Sequence, residues 1–226
     1  MSVAGRTVLI AGATSASGRA AIGVLHSAGA RVVAVGRDPD RLAAVIAAHG
    51  SSEPRLRTEV CDLADQAQVV ALAQRLSADR IRLDGILHLV GGWRGGGGVA
   101  GQTEADYRFM EGGLTALRHV TRAFDADLRA AVSARVAIVS SPAVERPSAD
   151  GANYAAVKAA EEAWARALAD GFSRDAASRR RQLHAAAVIF RVVSLDGLEQ
   201  RLARAYADLW EVEAAPVNGT VVPVTA

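Results

Sequence analysis

The sequence predicts a doubly wound α/β fold with a mostly parallel seven-stranded sheet. Three observations carry that expectation. Short apolar runs alternate with helix-like stretches along the whole length of the chain. The runs are continuously apolar instead of alternating with polar residues, as in strands covered by helices on both faces. A small-residue turn stands between the first run and the first helical stretch, the opening of a strand–turn–helix unit.

Each element has its own reason. Strands are predicted over 6–11, 31–35, 57–61, 84–90, 135–140, 184–190 and 220–224, where β-branched and apolar residues cluster. Helices are predicted over 19–28, 39–48, 66–76, 104–131, 153–172 and 198–210. Gly29 stands just past the first helix as a stop, and Pro39 opens the second in its favoured first turn. A glycine-dense loop runs from the fourth strand through Gly101. There is no internal repeat, low-complexity tail or linker, so 1–226 is expected to form one domain.

Composition narrows the function. Half of the residues are hydrophobic, enough for a sizeable core, and the formal net charge is only +2 with basic residues spread along the chain. No nucleic-acid partner is therefore expected. The alanine, glycine and arginine content suggests a GC-rich bacterial coding bias. Cys61 is the only cysteine, so no intrachain disulfide can form and a reducing compartment is expected. No signal-peptide pattern and no apolar stretch of membrane-spanning length is seen, so the expected setting is the cytoplasm. The histidines show no metal-ligand spacing, and no metal is expected.

The turn reads Ala11-Gly12-Ala13-Thr14-Ser15-Ala16-Ser17-Gly18. Small residues at Gly12, Ala16 and Gly18 let backbone approach a pyrophosphate, and the helix behind them offers free N–H groups and partial positive charge. A plain tight turn is the alternative. At the end of the second strand stands Arg37, with Arg41 one helical turn on and Asp38 the nearest carboxylate. An acidic residue there suits the ribose hydroxyls of NAD, whereas arginine suits the 2′-phosphate of NADP. NADP(H) is favoured over NAD, with a solvated Arg37 as the other reading. Asp62 and Leu63 follow the third strand, placed to meet an adenine, although Asp62 could equally cap a helix.

Lys158 is the only lysine among 26 basic residues, and it follows Tyr154 by four positions. Residues four apart share a helix face, so an ammonium can sit over the phenol and favour its ionised form. Arginine, with its planar fork, does not replace a compact point charge.

Together these pieces resemble the short-chain dehydrogenase/reductase family over essentially the whole chain. Its Thr-Gly-x-x-x-Gly-x-Gly turn corresponds to Ala11-Gly12-x-x-x-Ala16-x-Gly18, its Tyr-x-x-x-Lys to Tyr154 and Lys158, and its strand-end serine to Ser141, thirteen residues before the tyrosine. The resemblance implies a Rossmann-like three-layer fold and an NADPH-dependent oxidoreductase acting between a nicotinamide and a small-molecule carbonyl or alcohol. Tyr154 would give the proton, Ser141 would hold the substrate oxygen, and Lys158 would bind the nicotinamide ribose. Gly12, Thr14, Ser15, Ala16, Ser17, Gly18, Arg37, Asp62, Leu63, Gly91, Tyr154, Lys158 and Val193 would contact the cofactor, Val193 through its backbone.

Departures from the family pattern are equally specific. Its Asn-Asn-Ala-Gly is His88-Leu89-Val90-Gly91 here, with His88 expected as a structural hydrogen-bonding residue. The asparagine of its following helix aligns with Gly113, which has no amide to support a proton relay, although Gly112-Gly113 could bend the helix. Its Pro-Gly is replaced within Phe190-Arg191-Val192-Val193. These losses motivate two alternatives: a dinucleotide-binding sensor or structural protein, or a non-redox isomerase or lyase. Ala143, Val144, Trp93 and Trp210 are candidate walls of an apolar substrate site, Trp93 being equally readable as a packed loop aromatic. Arg179-Arg180-Arg181 reads as a solvated turn. A homodimer or homotetramer is expected, through Leu114, Leu117, Val120 and Phe124 on one helix and Ala159, Ala163, Trp164 and Ala167 on another. The tetramer is slightly preferred because the last strand could abut its mate.

Overall fold

A computed structural model describes residues 2–49 and 55–225. Its elements run β1 Thr7–Ala11, α1 Ala16–Ser27, β2 Arg31–Gly36, α2 Pro39–His49, β3 Leu56–Val60, α3 Gln66–Ala78, β4 Gly85–His88, α4 Glu104–Ala123, α5 Asp125–Ala130, β5 Ala134–Ser140, α6 Ala152–Ser178, β6 Ala185–Arg191, α7 Glu199–Asp208, α8 Ala214–Val217 and β7 Val221–Pro223. The seven strands lie in the order β3-β2-β1-β4-β5-β6-β7, and every pairing is parallel. The predicted sheet is thus confirmed and is parallel throughout instead of mostly so.

Helices cover both faces. On one, Ile22 and Leu25 of α1, Leu42 of α2 and Leu202 and Tyr206 of α7 pack on the sheet. On the other, Leu72 of α3, Val120 of α4 and Phe172 of α6 do so. This double covering explains the largely apolar inner strands; β3, at the sheet edge, reads Leu-Arg-Thr-Glu-Val and is mostly half-buried, against the expectation of unbroken apolar strands. Among the described residues no helix is long and apolar enough to cross a membrane.

Several expectations shift. The single helix over 104–131 is two, divided at Phe124, whose ring is buried in the core. α4 itself continues unbroken through Gly112 and Gly113. α1 begins at Ala16, so Ala16, Ser17 and Gly18 form a helical turn instead of the preceding loop. Trp210 cannot line a substrate site: it is fully buried, edge-on to Tyr206, and Gly85 at the start of β4 has room for no side chain against the pair. Leu117, Val120 and Phe124 face inward, which removes them from any surface offered to a second copy. Strand order reverses between β1 and β4, so the crevice at the carboxyl ends of these strands is where such a fold takes a ligand.

Candidate active site

A cleft of about 640 Å³ opens at that switch point. Of the residues expected to hold a cofactor, Gly12, Thr14, Ser15, Arg37, Asp62, Leu63 and Gly91 line it. Gly12 has φ +85°, and a Cβ there would lie 3.1 Å from the Leu89 backbone. A Cβ on Gly18 would lie 2.5 Å from the Gly12 carbonyl oxygen, so no side chain fits. Ser15 closes the turn: its hydroxyl donates to Gly12 O at 2.8 Å and accepts from Gly18 N–H at 3.0 Å. A bare backbone cradle in front of a capped helix start fits a pyrophosphate.

At the end of β2, Asp38 is committed to α2, where its Oδ1 accepts from the N–H groups of Asp40 and Arg41. The Arg41 guanidinium donates to Thr14 O at 2.8 Å and ties α2 to the glycine turn. Arg37 is exposed at the cleft edge. Asp62 does not cap α3; Asp65 does, accepting from Ala67 and Gln68 N–H. Cys61 forms part of the wall, and burial pushes its thiol up to about 11.

The second cluster lies at the ends of β4 and β5. Ser141 follows the last residue of β5 and is buried, its Oγ accepting from Ala143 N–H at 3.2 Å. Tyr154 stands in the first turn of α6, with the Lys158 ammonium 5.9 Å from its ring centroid. That ammonium donates to Val139 O of β5 at 2.9 Å and to Glu161 Oε2 at 2.7 Å. It lies against the backbone of Gly91, which lines the cleft: a Cβ there would lie 3.5 Å from Nζ, although Ser141, Tyr154 and Lys158 are not themselves among the lining residues. Ser141, Tyr154, Lys158 and Gly91 therefore gather at one end of the sheet. Val193, just past β6, is 89% exposed and lies outside the cleft lining.

The glycine loop is fastened to the start of α6. Gly98 N–H donates to Asp150 Oδ1 at 2.7 Å, Gly96 N–H to Asp150 O at 2.8 Å, and Asn153 N–H to Gln102 Oε1 at 3.2 Å. Trp93 on this loop is 62% exposed, not a packed loop aromatic. Phe109 lies over the bare backbone of Gly92 with the Arg94 guanidinium 3.8 Å above its ring.

His88 is buried and joins β4 to α4 through Gly113 O, 3.1 Å from Nε2. The carbonyl can only accept, so Nε2 carries the proton. Burial, aided by the nearby Lys158 charge, pushes the imidazole down to about 3 and keeps it neutral. The structural role expected for it is what the geometry provides.

Two groups escaped the sequence reading. Glu161 is buried against Lys158; burial raises its pKa while the ammonium opposes the shift. Glu162, also buried, accepts from Ser140 Oγ at 2.7 Å, from Arg191 Nε and Nη2 at 2.8 Å each, and from Arg166 Nη2 at 2.7 Å. Arg191 also pairs with Glu145. This ion network occupies the place of the missing Pro-Gly. The i, i+3 spacing of Glu161 from Lys158 was the one available hint.

Comparison with known proteins agrees with this architecture. A metagenomic short-chain oxidoreductase solved in complex with NADP superposes with a TM-score of 0.84 at 24% identity, all of both chains being covered. A gluconate 5-dehydrogenase from Burkholderia cenocepacia J2315, solved with NADP and tartrate, gives a TM-score of 0.83 at 20% identity over 98% of this chain and 94% of that one. These show the fold. A Streptomyces sp. (strain C5) protein named "Putative daunorubicin C-13 ketoreductase DnrU" is 44% identical over 89 residues, which span 39% of this chain and only 31% of that protein. A family model described as short chain dehydrogenase matches residues 6–176, and the chain belongs to that family of oxidoreductases.

Proposed function

We propose that this chain, as one dinucleotide-binding domain, is an NADPH-dependent oxidoreductase of a small-molecule carbonyl or alcohol. The observation that carries the reading is the placement of its only lysine, with Nζ beside both the Tyr154 ring and the bare backbone of Gly91 at the cleft. The solved relatives that hold NADP and the partial match to a protein named as a ketoreductase support it.

In this reading Gly12, Thr14, Ser15, Ala16, Ser17 and Gly18 hold the pyrophosphate. Arg37 would meet the 2′-phosphate, Asp62 and Leu63 the adenine, and Gly91, Tyr154 and Lys158 the nicotinamide ribose, while Val193, outside the cleft lining, would reach the carboxamide only through its backbone. The bound nicotinamide supplies or accepts the hydride. Tyr154 O–H protonates the substrate oxygen as charge develops there, and Ser141 O–H donates to that same oxygen. Lys158 keeps its ammonium beside the phenol ring as that proton leaves.

The test is to follow NADPH absorbance against a panel of ketones and aldehydes. Tyr154→Phe should lower kcat by roughly a hundredfold or more, since a positioned acid contributes that much. NADPH binding, followed by fluorescence, should persist in the variant. Wild-type turnover in it would sink the mechanism, and binding without turnover in the parent chain would favour the sensor reading.

A further inference from the structure

The Lys158 ammonium has three N–H donors. Val139 O takes one at 2.9 Å and Glu161 Oε2 another at 2.7 Å. Glu161 is 1% exposed, and its second oxygen, Oε1, is buried without a hydrogen-bond partner. Oε1 faces α4 at Gly113, where a Cβ would lie 3.1 Å from it and 3.0 Å from Val90 O. The absence of a side chain at position 113 is thus what admits a carboxylate beneath the lysine. His88 reaches the same point from β4, bonding Gly113 O and remaining neutral. Lys158 meets Glu161 from α6, one turn earlier on the same helix, and Gly113 meets its Oε1 from α4. Glu161 is therefore the only carboxylate with an ion pair to the lysine among the described residues.

A buried carboxylate 2.7 Å from an ammonium is strongly directional. It also offsets the cost of keeping Lys158 charged where it is only 8% exposed. Two of its donors are thus taken on the side of β5 and Glu161, and one is left over beside the bare backbone of Gly91.

We propose that Glu161 is a positioning residue of the active site: together with Val139 O it fixes the Lys158 ammonium between Tyr154 and Gly91, and Gly113 is the space that admits its carboxylate. The role assigned to Lys158 rests on the function proposed above, but the ion pair itself can be tested without turnover. Because the chain has one lysine, protein labelled with ¹³C,¹⁵N-lysine gives one side-chain ammonium signal to follow by NMR.

In Glu161→Gln that ammonium signal should move and its hydrogens should exchange with water faster, because the acceptor 2.7 Å away loses its charge. In an active enzyme kcat should fall roughly tenfold or more, and NADPH affinity should weaken with it, because the same ammonium is assigned to the nicotinamide ribose. Glu161→Asp, which keeps the charge, should recover part of both losses. A folded Glu161→Gln whose ammonium signal and exchange match the parent chain, with kcat unchanged, overturns the proposal. If that variant does not fold, Gly113→Ala probes the same contact from α4, and a parental ammonium signal with parental kcat in it overturns the proposal equally. If the parent chain reduces no carbonyl, the functional reading fails and the ammonium signal alone decides the ion pair.

Discussion

At the scale of single residues, the choice of dinucleotide turns on two neighbours. Asp38 is the carboxylate nearest the end of β2, but its Oδ1 already serves two N–H groups at the start of α2. Arg37 stands exposed at the cleft edge, and Arg41 is anchored to Thr14 O. A phosphate-bearing ribose would meet a cation there. Arg37→Ala should weaken NADPH binding roughly tenfold, the worth of one charge-assisted hydrogen bond, and leave NADH binding nearly unchanged. Parallel fluorescence titrations measure both, and equal losses for the two cofactors would refute the assignment. Arg37 and Lys158 were legible in the sequence, the first from its place at the end of a strand run and the second as the single lysine, four residues after a tyrosine. Glu161 was not, since a glutamate in mid-helix ordinarily reads as a solvated face, and only packing against Gly113 shows otherwise.

At the scale of elements, the Glu162 network joins three of them. Its carboxylate accepts from Ser140 on β5, Arg191 on β6 and Arg166 on α6 itself. These hydrogen bonds overcome the burial penalty and hold the carboxyl down to about 2, against an ordinary 4.5. A depressed carboxylate stabilises the fold fully above its unfolded pKa, and that contribution is lost as pH falls from near 4.5 toward about 2. Glu162→Gln should cost about 3 kcal/mol at neutral pH. The gap from the parent chain should narrow progressively through that acidic window. Urea denaturation at a series of pH values reads this directly, and a gap independent of pH would contradict it.

Element positions were otherwise well marked in the sequence. The strand runs fall within a few residues of β1 to β7. The break at Phe124 carried no proline or glycine to mark it and arises from burying that ring. The extension of α6 to Ser178 likewise lay beyond the apolar periodicity, on a stretch held by exposed Arg–Asp pairs such as Arg174–Asp170.

At the scale of the whole molecule, the open question of chemistry is which faces meet another copy. With Leu117, Val120 and Phe124 turned inward, the α4 and α6 surface presents Leu114 and Trp164, half-buried, and Ala159, Ala163 and Ala167, exposed. Small residues permit close helix approach, and closed two-fold pairing is the commonest assembly. β7 is three residues long and contains Pro223, which lacks a donor for strand pairing at the edge, so the helix face is the stronger candidate. A homodimer, or a homotetramer built on that pair, is the expected state. Light scattering should give a multiple of 23.4 kDa. Trp164→Glu should return the mass to that of one chain; a monomeric parent protein would refute the expectation.

The distribution of the three tryptophans has an optical consequence. Trp93 is 62% exposed on the glycine loop beside the cleft, Trp164 is half-buried with its indole N–H on Thr121 Oγ1 at 3.0 Å, and Trp210 is wholly enclosed against Tyr206. Their emission is therefore spread by environment, red for the first and blue for the last. A neutral quencher should extinguish the red component first and reach the blue one only when the sheet comes apart. One spectrum thus separates events at the cleft, on the α4 and α6 face and in the core, with no label added to the chain.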